Sequence, residues 1–129
     1  MAETLKLKLE DFKQALTTLD KAIKAGKNEI IRDSVIKRFE YCFELGWKTV
    51  KIFLFEKFGS DIFAPKDAFR ELLSKQLISP EDTEELLSMV DDRNKVIHTY
   101  DESFADEIYK RIINQYFDLM KKISEIINL

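Results

Sequence analysis

The sequence predicts an all-α protein, an antiparallel up-and-down four-helix bundle with one extra short helix. Three observations carry this prediction. Apolar residues recur at alternating steps of three and four along most of the chain, the period of one helical face. The 129 residues include only three glycines and two prolines, too few for a turn-rich architecture. Hydrophobic residues make up 45% and charged residues 35%, the balance of amphipathic helices. No repeat, low-complexity tract or composition boundary divides the sequence, and its length suits one domain with a single core, residues 1–129.

The first helix is predicted over about Thr4 to Ala25, with Leu5, Leu9, Phe12, Leu16, Leu19 and Ile23 on one face. Gly26 is a natural stop, and Lys24 and Lys27 complement the C-terminal dipole. The second covers roughly Glu29 to Phe58 and ends before Gly59, although its first turns read equally well as loop. Its stripe is Val35, Phe39, Phe43, Trp47, Val50 and Leu54, widened by Cys42, Gly46 and Phe53. A glycine in a helix interior costs ~1 kcal/mol relative to alanine, so Gly46 predicts close approach of another helix.

A linker from Ser60 to Ala64 precedes a short third helix, Pro65 to about Lys75, which starts on a proline as first turns favour. Ser79, Pro80, Glu81 and Asp82 read as a cap, a first-turn proline and two acidic first-turn residues. The fourth helix runs from there to about Ile97. The fifth starts near Asp101 or Ser103 and carries Phe104, Ile108, Ile112, Tyr116, Leu119, Ile123 and Ile126. Ile113, Phe117, Met120 and Ile127 make its apolar face wider than one seam needs. That width, and the breadth of the second helix, lead to the expectation of a homodimer, with a thick monomer core as the alternative.

Charge and composition exclude several functions. With 21 basic and 24 acidic residues the formal net charge is −3, unlike a general electrostatic nucleic-acid binder. Any contact with RNA must then be local or helped by a partner. Cys42 is the only cysteine and His98 the only histidine, which leaves no disulfide and no zinc constellation. No metal and no cofactor are expected. The start, Met1 to Lys6, is charged, and no apolar run approaches the ~20 residues of a membrane span. A cytoplasmic protein is expected.

The residues best suited to chemistry lie between Arg93 and Tyr100. Leu86, Val90, Arg93 and Ile97 are spaced by four, three and four, so Arg93 falls within an apolar stripe. A buried arginine is costly unless paired. One reading pairs it with Glu40 or Glu44 on the second helix; the other aims the guanidinium at a cleft, where it grips phosphate. His98 reads either as a proton carrier near neutral pH or as a C-terminal cap. Tyr100 reads as a group acceptor or as a packing residue, and Asn94 as an exposed helix residue. As a set they suit cleavage of RNA by its own 2′-hydroxyl. His98 accepts or donates a proton, Arg93 stabilises charge on the phosphate, and no metal is required.

Lys95 and Arg38 are candidate phosphate-binding residues. With Lys37 and Lys48 they are the nearest sources of positive potential, although a solvated face explains each of them too. Asp91, Asp92, Asp101 and Glu102 lack any spacing specific for Mg²⁺ and read as solvated helix ends.

Arg93-Asn94-Lys95-Val96-Ile97-His98 resembles the Arg-polar-(several)-His signature of HEPN domains. Three longer segments, in order, resemble one branch of that superfamily. They are Ile36-Lys37-Arg38-Phe39-Glu40-Tyr41-Cys42-Phe43-Glu44-Leu45-Gly46-Trp47-Lys48, then Pro65-Lys66-Asp67-Ala68-Phe69-Arg70, then the block from Asp92 to Glu102. The branch is the nucleotidyltransferase substrate-binding protein family, close to HepT-type toxins, and the resemblance covers nearly the whole chain. It implies a HEPN-like bundle that dimerises, and a separately encoded minimal nucleotidyltransferase as partner. It also implies a metal-independent endoribonuclease toxin in which Arg93, Asn94 and His98 are catalytic and Tyr100 is the tyrosine onto which the partner transfers AMP, silencing the nuclease. The alternative within the family is a non-catalytic substrate-binding subunit of a two-component nucleotidyltransferase. A third reading is a helical scaffold dimer whose Arg93 is only a buried ion pair.

Arg93 and His98 are five residues apart, ~140° of rotation on an ideal helix. They meet on one phosphate only if the helix ends or distorts near Ile97, or if two copies of the motif come together.

Overall fold

The computed structural model describes residues 2–98 and 101–127. It is all-helical: α1 (Ala2–Lys24), α2 (Glu29–Phe58), α3 (Pro65–Ser74), α4 (Pro80–His98), α5 (Glu102–Arg111), a π-helical turn (Ile112–Tyr116) and α6 (Phe117–Ile126). No strand occurs among the described residues. None of the helices is long and apolar enough to cross a membrane.

The first helix buries the expected stripe, with Leu5, Leu9, Phe12, Leu16 and Leu19 all shielded from solvent. Each such side chain contributes ~1.5–3 kcal/mol of transfer free energy. Its main partner is α2, the central helix, which also packs against α3, α5 and α6. Gly46 accounts for the closeness of α1 and α2: a Cβ there would lie 2.9 Å from Phe12 Cζ. The ring of Phe12 fills the space that any other residue would claim.

The second helix is helical from Glu29, so the loop alternative for its first turns is not realised. Two features hold that end. The Asn28 side chain accepts a hydrogen bond from the Ile31 N–H at 2.8 Å, an N-cap. One turn on, Arg32 is buried and bridges to Glu102 at 2.8 Å and Asp106 at 3.0 Å on α5. The far end stops at Gly59, whose φ of 72° is left-handed, with its N–H donating to the Phe55 carbonyl. The Ser79 hydroxyl caps α4 by accepting from the Asp82 N–H at 3.0 Å.

The fifth predicted helix departs from the expected regular rod. It contains the π-helical turn, in which the Phe117 N–H donates to the Ile112 carbonyl five residues back. Such a turn rotates the following residues onto a new face. Met120 and Ile127 are buried, and Ile113 and Phe117 pack half-buried against the core. The extra apolar width read from the sequence is therefore absorbed within one chain. It does not by itself leave a second surface to be covered.

Candidate functional site

Arg93 projects from α4 toward α2. Its guanidinium Nη2 donates to Glu44 Oε2, and Lys48 Nζ sits 3.1 Å from the other oxygen of the same carboxylate. The guanidinium carbon lies 4.9 Å from the centroid of the Phe43 ring, a cation–π contact. Nη1 makes a long 3.3 Å hydrogen bond to Asn94 Oδ1. The Nε–H is buried with no hydrogen-bond partner among the described residues. Of the two carboxylates offered by the sequence, Glu44 is the one that pairs with Arg93. The side chain is 20% exposed, so it is oriented from below while one edge still meets solvent.

His98 is the last residue of α4 and is exposed. The helix runs without interruption through Ile97 to His98. Arg93 and His98 thus keep the separation of a regular helix, ~140°. Within one chain, the distortion that would join them is absent among the described residues. Asn94 is exposed beside Arg93. Lys95 is exposed, with its Nζ 4.6 Å from the centroid of the Phe104 ring. Tyr100 lies outside the described residues.

Arg38 is not brought to Arg93. Its Nη1 donates to the Thr18 carbonyl of α1 at 2.8 Å. Six positions separate it from Glu44, which places it ~120° around α2 from the side that faces Arg93.

The acidic residues around the motif are not simple solvated ends. Asp91 pairs with Lys66 of α3 at 2.8 Å, and Asp101 caps α5 by accepting from the Ser103 N–H at 2.9 Å. Glu102 holds Arg32. Asp92 is the most engaged. Its two oxygens accept from Arg111 Nη1 at 2.9 and 2.8 Å, and Oδ2 also accepts from the hydroxyl of Tyr116. The Tyr116 ring stacks on Phe39 at 5.8 Å between centroids. Burial, and then the hydrogen bond to the Asp92 carboxylate, push the Tyr116 hydroxyl well above the usual phenol range. The hydrogen bond to Asp92 likewise raises Arg111. Asp92 therefore ties the helix that carries Arg93 to the π-helical turn. Among the described residues no cluster of three His, Cys, Asp or Glu side chains is arranged to hold a metal ion.

The network of Asp92, Arg111 and Tyr116 and the anchor at Arg32 were both missed in the sequence. Arg32 carried a readable signal, because it continues the stripe of Val35 and Phe39 just as Arg93 continues that of Leu86 and Val90. Arg111 and Tyr116 carried none. Five residues apart, they converge on one carboxylate only because the π turn lies between them.

A family model described as "Nucleotidyltransferase substrate binding protein like" matches residues 7–128. A solved structure from Thermus thermophilus is similar at 34% identity, with a TM-score of 0.85, covering 92% of this chain and 99% of that one. A tri-AMPylated Shewanella oneidensis HEPN toxin, solved in complex with its MNT antitoxin, is similar at 19% identity with a TM-score of 0.79, covering 98% of both chains. A toxin–antitoxin structure with AMP-PNP is similar at 18% identity with a TM-score of 0.81, covering 99% of this chain and 100% of that one. The likeness to the HEPN toxin establishes a HEPN-like fold. No curated protein matches.

Proposed function

The chain belongs to the nucleotidyltransferase substrate-binding protein-like family, and from that premise we propose that it is a metal-independent endoribonuclease toxin of the HEPN type. Its partner is a separately encoded minimal nucleotidyltransferase, which silences it by transferring AMP to Tyr100. The observation that carries this reading is the state of Arg93. The guanidinium is stacked on Phe43 and steered by Glu44, and 20% of the side chain still meets solvent. A preoriented arginine with an edge open to solvent suits charge developing on a phosphate oxygen.

Two copies of the chain complete the site, with Arg93 of one copy and His98 of the other meeting on one phosphate. The 2′-oxygen of RNA attacks the adjacent phosphorus, a 2′-O–P bond forms and the P–O5′ bond breaks. His98 takes the 2′-hydroxyl proton, and water gives one to the departing 5′-oxygen. Arg93 holds the phosphate oxygens, and Asn94 and Lys95 stand beside it on the exposed side of α4. The exposed apolar side chains nearest the motif, Tyr41 and Ile97, support the pairing of two copies better than the wide face of the last helix does. Silencing follows when the Tyr100 hydroxyl attacks the α-phosphorus of ATP, forming an O–P bond as pyrophosphate leaves.

Expression of the chain alone should arrest growth, and Arg93→Ala or His98→Ala should abolish the arrest. Undiminished toxicity in both variants would remove the catalytic assignment. With the partner, ATP and Mg²⁺, the protein should gain the mass of AMP. Equal labelling of Tyr100→Phe would mean that the acceptor is another residue.

A second reading is a non-catalytic substrate-binding subunit. It is favoured by the ion pairing of Arg93 with Glu44, itself bridged to Lys48, and by the net charge of −3. It predicts no RNA cleavage, but a stable complex in which the partner's transferase activity is altered.

A further inference from the structure

Beside the motif, a cleft of about 260 Å³ opens between α2, the last turns of α4 and the start of α5. Its floor is apolar, formed by Ile36, Val96, Phe104 and Ile108, and Lys37 and Glu40 stand at its margin. The volume lies below the ~300–1,000 Å³ of pockets for drug-sized ligands. There is room for one ring system, not for a whole nucleotide.

The charged groups are unequally occupied. Arg32, at one end, is taken up by Asp33, Glu102 and Asp106. Glu40 and Lys37 form no ion pair among the described residues. Glu40 is half-buried at the margin of the apolar floor, where its carboxylate can accept from donors that a ligand brings. It lies four residues before Glu44, and Val96 lies three after Arg93. The cleft is thus about one helical turn, ~5.4 Å, from the Arg93–Glu44 pair. A phosphate held at Arg93 would place its sugar and base within reach of the cleft.

We infer that this cleft is a nucleobase subsite and that Glu40 selects guanine. The Watson–Crick edge of guanine carries adjacent N1–H and N2–H donors, which match the two oxygens of a carboxylate. Adenine and cytosine set a donor beside an acceptor, and uracil sets one donor between two acceptors, so each turns a lone pair toward the anion. Ile36 and Val96, both partly exposed, offer apolar surface to the face of the base, as apolar and aromatic groups hold unpaired RNA bases. The assignment rests on the reading of the site as one that takes RNA.

The test is an NMR titration of the full chain with guanosine, adenosine, cytidine and uridine, following the methyl signals of Ile36, Val96 and Ile108. Nucleosides carry no phosphate, so binding does not depend on Arg93 or on cleavage. Guanosine should shift these signals and bind at least about tenfold more tightly than the other three, the discrimination expected of a hydrogen-bonding site. Glu40→Gln should erase the preference, and Ala105→Leu, which fills the cleft, should abolish binding. Equal binding of guanosine and uridine, or methyl signals unmoved by every nucleoside, would overturn the assignment. Guanosine binding without RNA cleavage would leave the subsite standing and remove the nuclease. Cleavage without guanine preference would do the reverse.

Discussion

Replacing Asp92 with alanine should destabilise the protein by about 3 kcal/mol, more than loss of a surface carboxylate would. The Asp92 side chain is only 13% exposed and accepts three hydrogen bonds, two from Arg111 and one from Tyr116. Hydrogen bonds to a charged group contribute ~1.5–3 kcal/mol. Arg111 is 42% exposed, so solvent screening brings its share down toward ~1 kcal/mol. The larger part is the Tyr116 hydroxyl, which loses its acceptor while its ring stays buried, at a cost of ~1–3 kcal/mol. For a domain of this length the sum corresponds to a fall of roughly 10 °C in Tm. Urea and thermal unfolding followed by circular dichroism at equal protein concentration measure it. Tyr116→Phe, which removes the hydroxyl together with its need for an acceptor, should cost only ~1 kcal/mol. The two changes should be non-additive by a similar amount. An Asp92→Ala protein within ~0.5 kcal/mol of wild type would refute the assignment, since that is the scale of ordinary surface substitutions.

Two further consequences concern the core. Gly46→Ala should destabilise, because the clash of its Cβ with Phe12 outweighs the ~1 kcal/mol gain in helix propensity; a net loss of about 1–2 kcal/mol by urea unfolding is expected. Gly46→Ala combined with Phe12→Leu should recover part of it. Stability should also fall under alkaline conditions. Burial pushes the Cys42 thiol from 9.0 up to about 12, so the folded chain keeps a proton that the unfolded chain releases. The stabilisation is complete below about pH 9 and is lost as pH rises toward about 12. The raised Tyr116 hydroxyl acts in the same sense. Urea midpoints at about pH 7, 9 and 10.5 should decline in that order, and Cys42→Ala should flatten the decline; midpoints independent of pH would contradict it.

The helices were legible because each carries its own signals. Ser79 with Pro80 started α4, Gly59 ended α2, and Gly46 announced the close approach of another helix to α2 without naming α1 or Phe12 as the neighbour. The wide apolar face of the last helix was visible but misattributed. A three-four spacing assumes a uniform helix, and the π turn at Ile112–Tyr116 brings the surplus side chains into the same core. The ion pair of Arg93 with Glu44 was one of two options, since Glu40 and Glu44 lie one turn apart on α2. The choice depends on how far α4 is shifted along α2, which no local pattern records. Arg38 looked as near to the motif as Lys37 in sequence, yet the turn of α2 directs it to the Thr18 carbonyl. Asp92 was hidden for a different reason: an acidic pair at 91 and 92 looks solvated until Lys66 and Arg111 are seen to take one carboxylate each.

The central claim is that Arg93 and His98 act together across two copies of the chain, because an uninterrupted α4 keeps them apart within one. Subunit mixing tests it directly. Arg93→Ala and His98→Ala proteins, each inactive alone, are combined, exchanged under mild denaturant and assayed for RNA cleavage. A site shared between copies predicts that activity returns to about a quarter of wild type, since random pairing makes about half of the dimers mixed and each of these keeps one intact site. A mixture as inactive as its components would place Arg93 and His98 of a working site in the same chain and contradict the account.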